Sequence, residues 1–243
     1  MTSLGAPHGD AGRRKEHVDS ADVGLALLGF ASGSMDALAF LTLGQVFPSA
    51  MTGNTALFGL ALGQGNLVAA SRPFAAFVAF LAGAAAAAAI VRLRLDKLPV
   101  PRAVCGLLAL EACLLAVFAL ADQPMVRPMT GVGVYGLIIL ASSGMGIQSV
   151  AARLVGRPGI ATVVFTSTLT AIVTAVTEAL LRPGRALAFA TRRQIGMFLI
   201  YAAGAATSGL LTLHGAWIAV LPFVAVLEAT GAVGMADWDH QPQ

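Results

Sequence analysis

Residues 49–66, SAMTGNTALFGLALGQGN, are apolar enough to lie in lipid, yet they open on Met51-Thr52-Gly53-Asn54 and close on Gly63-Gln64-Gly65-Asn66, poor material for a helix interior. Asp36, a carboxylate in an otherwise apolar stretch, lies fifteen residues before Met51. The fold turns on whether this segment crosses a bilayer or dips into it and leaves on the side it entered. The first reading makes the chain a simple bundle of spans. The second changes the crossing count and the orientation of everything downstream.

The surrounding sequence makes a membrane the only reasonable solvent. Hydrophobic residues are 57% of the chain, charged residues 11%, and the mean hydropathy is +0.81. Residues 37–71 carry no charge, and residues 194–227 have only His214. A hydrocarbon core of about 30 Å needs roughly 20 apolar residues per helix, so each run reads as a pair of membrane segments. A net charge of +3 does not indicate a nucleic-acid partner, because the basic residues flank apolar runs as topology signals do. Residues 1–22, with Arg13, Arg14 and Lys15, read as a disordered cytoplasmic tail. They lack the small-residue cleavage site of a signal peptide and are expected to be retained. Cys105 and Cys113 lie eight residues apart on one expected helix, about 12 Å by helical rise, too far for a disulfide.

Eight apolar segments can be drawn: 23–45, 52–70, 73–91, 103–121, 131–152, 159–180, 194–212 and 215–234. If all eight cross and the N-terminus is cytoplasmic, nine basic residues fall inside and six outside. If segments two and six return to the side they left, only Arg72 and Arg127 stay outside and thirteen lie inside. The second count has the bias of real membrane proteins. The expected fold is therefore all-α, a polytopic helical membrane protein with about six crossings and two re-entrant or broken segments. Both termini are then cytoplasmic, and a short tail occupies 237–243.

The halves of the membrane domain, 23–236, also match each other. SGSMDALA (32–39) parallels GMGIQSVA (144–151), setting Gly33 over Gly146 and Asp36 over Ser149. MTGNT (51–55) parallels FTSTL (165–169); FLAGAAAA (80–87) parallels YAAGAATS (201–208), setting Gly83 over Gly204; LEA recurs at 110–112 and 227–229. Repeat one (23–121) and repeat two (131–234) each hold three crossings under this scheme, an odd number, so the repeats are expected to be inverted.

Irregular backbone at membrane depth survives only where protein or a water-filled cavity covers it. Thr52 is expected to cap a helix start, Gly53 to let a ligand approach the backbone, and Asn54 to add a polar group. Thr166, Ser167 and Thr168 would act likewise from the other half. Asp36 is the leading candidate for binding a cation or carrying a proton, since a carboxylate at a helix centre costs about 2.5–3.5 kcal/mol on insertion scales; the structural alternative is that it caps a broken helix near Thr52. Gln148, beside Ser149, makes the other half polar but uncharged. Glu111 and Glu228, at matching positions, are either proton-relay groups or packing residues. No His-Glu-x-x-His helix, P-loop, nucleophile elbow or metal-ligand spacing is present, so no enzyme, catalytic residue, metal or cofactor is expected.

Gly33-Ser34-Met35-Asp36-Ala37 followed by Met51-Thr52-Gly53-Asn54-Thr55 resembles the signature of the YoaK family of small bacterial membrane proteins. The likeness extends over nearly the whole chain beyond the tail. The second half departs from it, with Ser167 where glycine is expected and Ser149 rather than asparagine after Gln148. The resemblance implies six membrane spans and no particular activity. The resulting expectation is a multi-pass protein of the bacterial cytoplasmic membrane acting as a secondary transporter or permease. Its partners would be the lipid bilayer and a small-molecule or ion substrate, in a monomer or homo-oligomer. A passive channel and a non-transporting assembly or scaffold factor are the alternatives.

Overall fold

A computed structural model describes residues 18–95, 97–122, 131–156, 165–182, 186–214, 218–236 and 238. The described chain is helical: α1 (Ser20–Thr42), α2 (Met51–Gly63), α3 (Leu67–Ile90, prolonged by a π-helical turn over Val91–Leu95), α4 (Val100–Ala121), α5 (Gly131–Leu154), α6 (Phe165–Leu181), α7 (Phe189–Thr212) and α8 (Val220–Gly234). Among the described residues, α1, α3 with its extension, α4, α5 and α7 are long and apolar enough to cross a membrane, whereas α6 and α8 are shorter apolar helices. At 13 residues α2 rises about 20 Å, well short of the hydrocarbon core.

Local chemistry moves several boundaries from where hydropathy sets them. Helix α1 starts at Ser20, three residues before the expected 23, because Asp19 and Asp22 form a reciprocal capping box, each carboxylate accepting the other's backbone N–H at 3.0 and 3.4 Å. It ends at Thr42, where Gly44 turns left-handed (φ +91°) and Gln45 N–H reaches back to Phe40 O at 3.1 Å. Helix α2 stops in the same way. Gly65 (φ +69°) donates to Leu62 O, Asn66 donates to Ala61 O, and the Asn66 side chain then caps α3 through Ala69 N–H at 3.0 Å. The break between the second and third segments is therefore at 64–66. Arg72, expected to separate them, lies inside α3 next to Pro73, which sits in the second turn and so withdraws one N–H from the helix ladder. Arg127, Arg157, Arg185, residues 1–17 and most of the C-terminal tail lie outside the described residues. Cys105 and Cys113 are both free.

The packing uses one scheme twice. Helix α1 packs on α7 and α8; α5 packs on α3 and α4; α4 and α8 meet; α2 lies on α3 and α6 on α7. The first helix of each half thus packs on the third and fourth of the other. The glycines show how close this is. A methyl group on Gly33 would strike the Tyr201 carbonyl and Ala205 N, while one on Gly204 would strike the Phe30 carbonyl. In the other seam Gly146 faces the Phe80 carbonyl and Ala84 N, and Gly83 faces the Ser143 carbonyl. These contacts correspond residue for residue when positions in α1 are shifted by 113 to reach α5 and positions in α3 by 121 to reach α7. Small residues let backbones approach where lipid supplies no hydrophobic drive between helices. Gly59 and Gly63, whose spacing also suggests a packing motif, face open space instead.

Helix α6 departs from its counterpart. None of its described side chains is buried, and Ser167, Thr174 and Thr177 are exposed. The hydroxyls of this helix thus lie mostly on the outside of the bundle. Gly33→Val and Gly146→Val are each expected to lower stability in detergent by at least the overpacking cost of about 1–3 kcal/mol, with Gly59→Val within about 0.5 kcal/mol of wild type. Equal tolerance at all three positions, read by thermal unfolding, would refute the close seams.

Candidate functional site

Asp36 lies in the last two turns of α1, 2% exposed. The chain leaves α1 at Gly44, folds back along it, and brings Ser49 to the carboxylate. Ser49 donates its backbone N–H to Oδ1 at 2.7 Å and its hydroxyl to Oδ2 at 2.6 Å; the Ala50 N–H faces the same group. From α7, the Tyr201 hydroxyl donates to Oδ2 at 2.7 Å. Ser49 and Ala50 are the residues just before α2, whose N-cap Ala50 has no side-chain cap of its own. Asp36 is thus a cap supplied by another helix, sitting at the positive pole of α2. Charge-assisted hydrogen bonds of this kind offset the cost of a carboxylate at membrane depth.

The residues expected to hold a ligand at that pole serve the loop instead. Thr52 is exposed and caps nothing. Gly53 packs against the Phe47 ring. Asn54 is 0% exposed, and both ends of its amide are used on Phe47: Oδ1 accepts the Phe47 N–H at 3.0 Å and Nδ2 donates to Phe47 O at 2.7 Å. Asn54 pairs with the returning strand of loop as a neighbouring backbone would. Phe47 in turn stacks on Phe40 with ring centroids 5.1 Å apart. The Met-Thr-Gly-Asn element therefore fixes the hinge between α1 and α2.

A second polar group lies on α4 and α5. Gln148 on α5 reaches α1, its Nε2 donating to Leu28 O at 3.1 Å and to Ser32 Oγ at 2.7 Å. Its Oε1, the Ser142 Oγ and both oxygens of Glu111 are buried without a hydrogen-bond partner among the described residues. Glu111, 0% exposed on α4, lies against Gly144, one helical turn along α5 from Gln148. Such atoms inside an apolar core call for water, an ion or a ligand. Glu228 does not join them. It lies on the exposed side of α8, so of the two acids at matching positions only Glu111 is buried. In the second half, Ser167 is exposed and Thr168 half-buried, while the side chain of Thr166 falls outside the described residues.

Sequence reasoning missed Ser49 and Tyr201. Tyr201 is one of only two tyrosines, standing where the other half has Phe80; that added hydroxyl at a matched position is the signal that was available. Ser34 and Ser208, joined at 2.6 Å across the same seam, carried no signal beyond the repeat itself.

The model of a protein family matches residues 24–233, nearly all of the helical region. The chain belongs to the DUF1275 family of proteins of unknown function. It is also similar to the UPF0700 transmembrane protein YoaK of Bacillus subtilis (strain 168), 39% identical over 148 residues. That alignment covers 61% of this chain and 64% of the relative, so the chain matches less than two thirds of that protein's length. No solved structure matches. Family and helices agree on a multi-pass membrane protein, and the elements that carry the earlier resemblance, Gly33–Ala37 and Met51–Thr55, are those that build the Asp36 hinge.

Asp36→Asn places an amide N–H₂ among four donors and is expected to cost about 1–3 kcal/mol, with Tyr201→Phe costing about 1 kcal/mol. Both are read as thermal unfolding in detergent. A fully stable Asp36→Asn protein would show that the carboxylate does not cap α2.

Proposed function

We propose that this protein is a secondary transporter or permease of the bacterial cytoplasmic membrane for a small polar solute, built from two inverted repeats. The observation that carries the reading is the buried pair on α4 and α5: Glu111, which lies against Gly144, and Gln148, one helical turn further along α5, present atoms without a partner among the described residues in the interior of a membrane domain. An intramembrane ionisable residue facing the protein interior marks a solute or ion pathway more often than a packing site. Gln148 also ties α5 to α1, the first helices of the two halves, so a solute bound there contacts the place where the halves meet.

The duplicated packing supports inversion. Helices α1, α3 and α4 form one set of three crossings, and α5, α7 and α8 the other. Helix α2 begins beside Asp36 and ends at Gln64–Asn66, which share a cleft with Gly44 and Gln45 at the end of α1, so it returns to the face from which it came. The fifteen residues of α8 make it the shortest crossing. Rocking of one half against the other would work the α1–α7 and α3–α5 seams, with the Asp36–Tyr201 bond as the polar contact that is strained or kept. No catalytic role is assigned to any residue.

The test is ligand-dependent stability of the purified protein against amino acids, dicarboxylates, sugars, polyamines and alkali cations at several pH values, followed by uptake of any hit into proteoliposomes. A compound present at a hundred times its dissociation constant raises stability by about 2.7 kcal/mol. Glu111→Gln should abolish that gain while folding normally, and Gln148→Leu should abolish it at a cost of about 1–3 kcal/mol in stability, since its amide also ties α5 to α1. A compound that stabilises both variants as well as wild type, or uptake no faster than in empty liposomes, would overturn the reading. In that case a protein partner recovered with the intact chain would favour the scaffold alternative.

A further inference from the structure

The two halves carry an arginine at the same place but treat it differently. Arg193 on α7 pairs with Asp22 on α1 at 2.5 Å, next to the capping box that starts α1. Shifting Arg193 back by 121 gives Arg72 on α3, and shifting Asp22 forward by 113 gives Tyr135 on α5. The second seam therefore keeps the cation and replaces its acid with a phenol. Tyr135 is occupied elsewhere, in a hydrogen bond with the hydroxyl of Ser71. Among the described residues Arg72 has no acidic partner.

Arg72 instead forms a wall of a cleft of about 540 Å³ between the end of α1 and the α2–α3 turn. Its guanidinium lies against Gly44, where any β-carbon would displace it. The cleft is also lined by Gln45, Gln64 and Asn66, with Leu60 and Pro73 among its apolar residues. Gln45 has a left-handed backbone (φ +63°) despite its side chain. Conformations of this kind cost of order 1–3 kcal/mol and gather at ligand clamps. A planar guanidinium flanked by amide donors is the arrangement that recognises carboxylate and phosphate oxygens.

We propose that this cleft binds an oxyanion, the carboxylate or phosphate of a solute or a lipid headgroup, which neutralises Arg72 as Asp22 neutralises Arg193. The site is separate from the buried α4–α5 group and stands whether or not the protein transports a solute.

The experiment measures thermal unfolding of the full-length protein in detergent with inorganic phosphate, acetate, or mixed micelles containing phosphatidylglycerol, against chloride and phosphatidylcholine controls at equal ionic strength. The expected result is a saturable upward shift with at least one oxyanion. The shift should be lost in Arg72→Gln and kept in Arg92→Gln, which removes an exposed cation on the same helix. A shift with phosphate or acetate identifies a soluble anion, and one with phosphatidylglycerol alone identifies a headgroup. Tyr135→Asp, which restores the acid of the other seam, should be more stable without added anion and indifferent to it. This variant decides the matter if Arg72→Gln fails to fold. No shift with any probe, or a shift that persists in Arg72→Gln or in Tyr135→Asp, overturns the proposal.

Discussion

Where α1 meets α7 and α3 meets α5, the helices touch through their backbones. Four glycines lie against carbonyl groups of the facing helix, and no other residue fits there without moving a helix. In lipid, this closeness is what holds the bundle together, because apolar side chains gain little by leaving one hydrocarbon environment for another. The directional contacts depend on it. Ser34 with Ser208, Asp36 with Tyr201 and Asp22 with Arg193 all cross the α1–α7 seam, and hydroxyl and carboxylate oxygens can meet only when the helix axes are this near.

The seams share their geometry but not their chemistry. Every polar pair of the α1–α7 seam faces a less polar counterpart in α3–α5: Ser149 and Phe80 stand for Asp36 and Tyr201, Ile147 and Ala87 for Ser34 and Ser208. One seam is bolted by hydrogen bonds and an ion pair, whereas among the described residues the other is held by packing and the Ser71–Tyr135 contact. A molecule built this way has a stiff side and a compliant side. Motion of one half against the other would then begin at α3–α5, beside Glu111 and Gln148.

The sequence was informative where a local rule acts. Charge-free runs marked paired apolar segments, and the glycines that the sequence matched as repeat positions, Gly33 with Gly146 and Gly83 with Gly204, are the ones where backbones meet in the structure, because contact between backbones demands glycine and little else does. Helix ends were misplaced wherever a cap decided them: hydropathy cannot register Asp19 with Asp22, or the left-handed glycines at 44 and 65. The chemistry around Asp36 was visible only in outline. A carboxylate in an apolar run must find donors, but nothing local says that they are Ser49, thirteen residues on, and Tyr201 in the other half. The Met-Thr-Gly-Asn element looked like a ligand cradle because polar residues at membrane depth suit a cradle and a hinge equally well. Only the pairing of Asn54 with Phe47 separates the two.

The order in which the helices leave the ribosome gives the halves unequal histories. When α5 emerges, its neighbours α3 and α4 are already in the membrane. Helix α1 packs on α7 and α8, the last to be made, and Tyr201 follows Asp36 by 165 residues. At about 5–20 residues per second, Asp36 waits on the order of ten to thirty seconds for that partner. During this time Ser49 and the amide ends of α2 are all that shelters it. The hinge that fixes α2 in the finished protein thus also keeps α1 insertable while the chain is still incomplete.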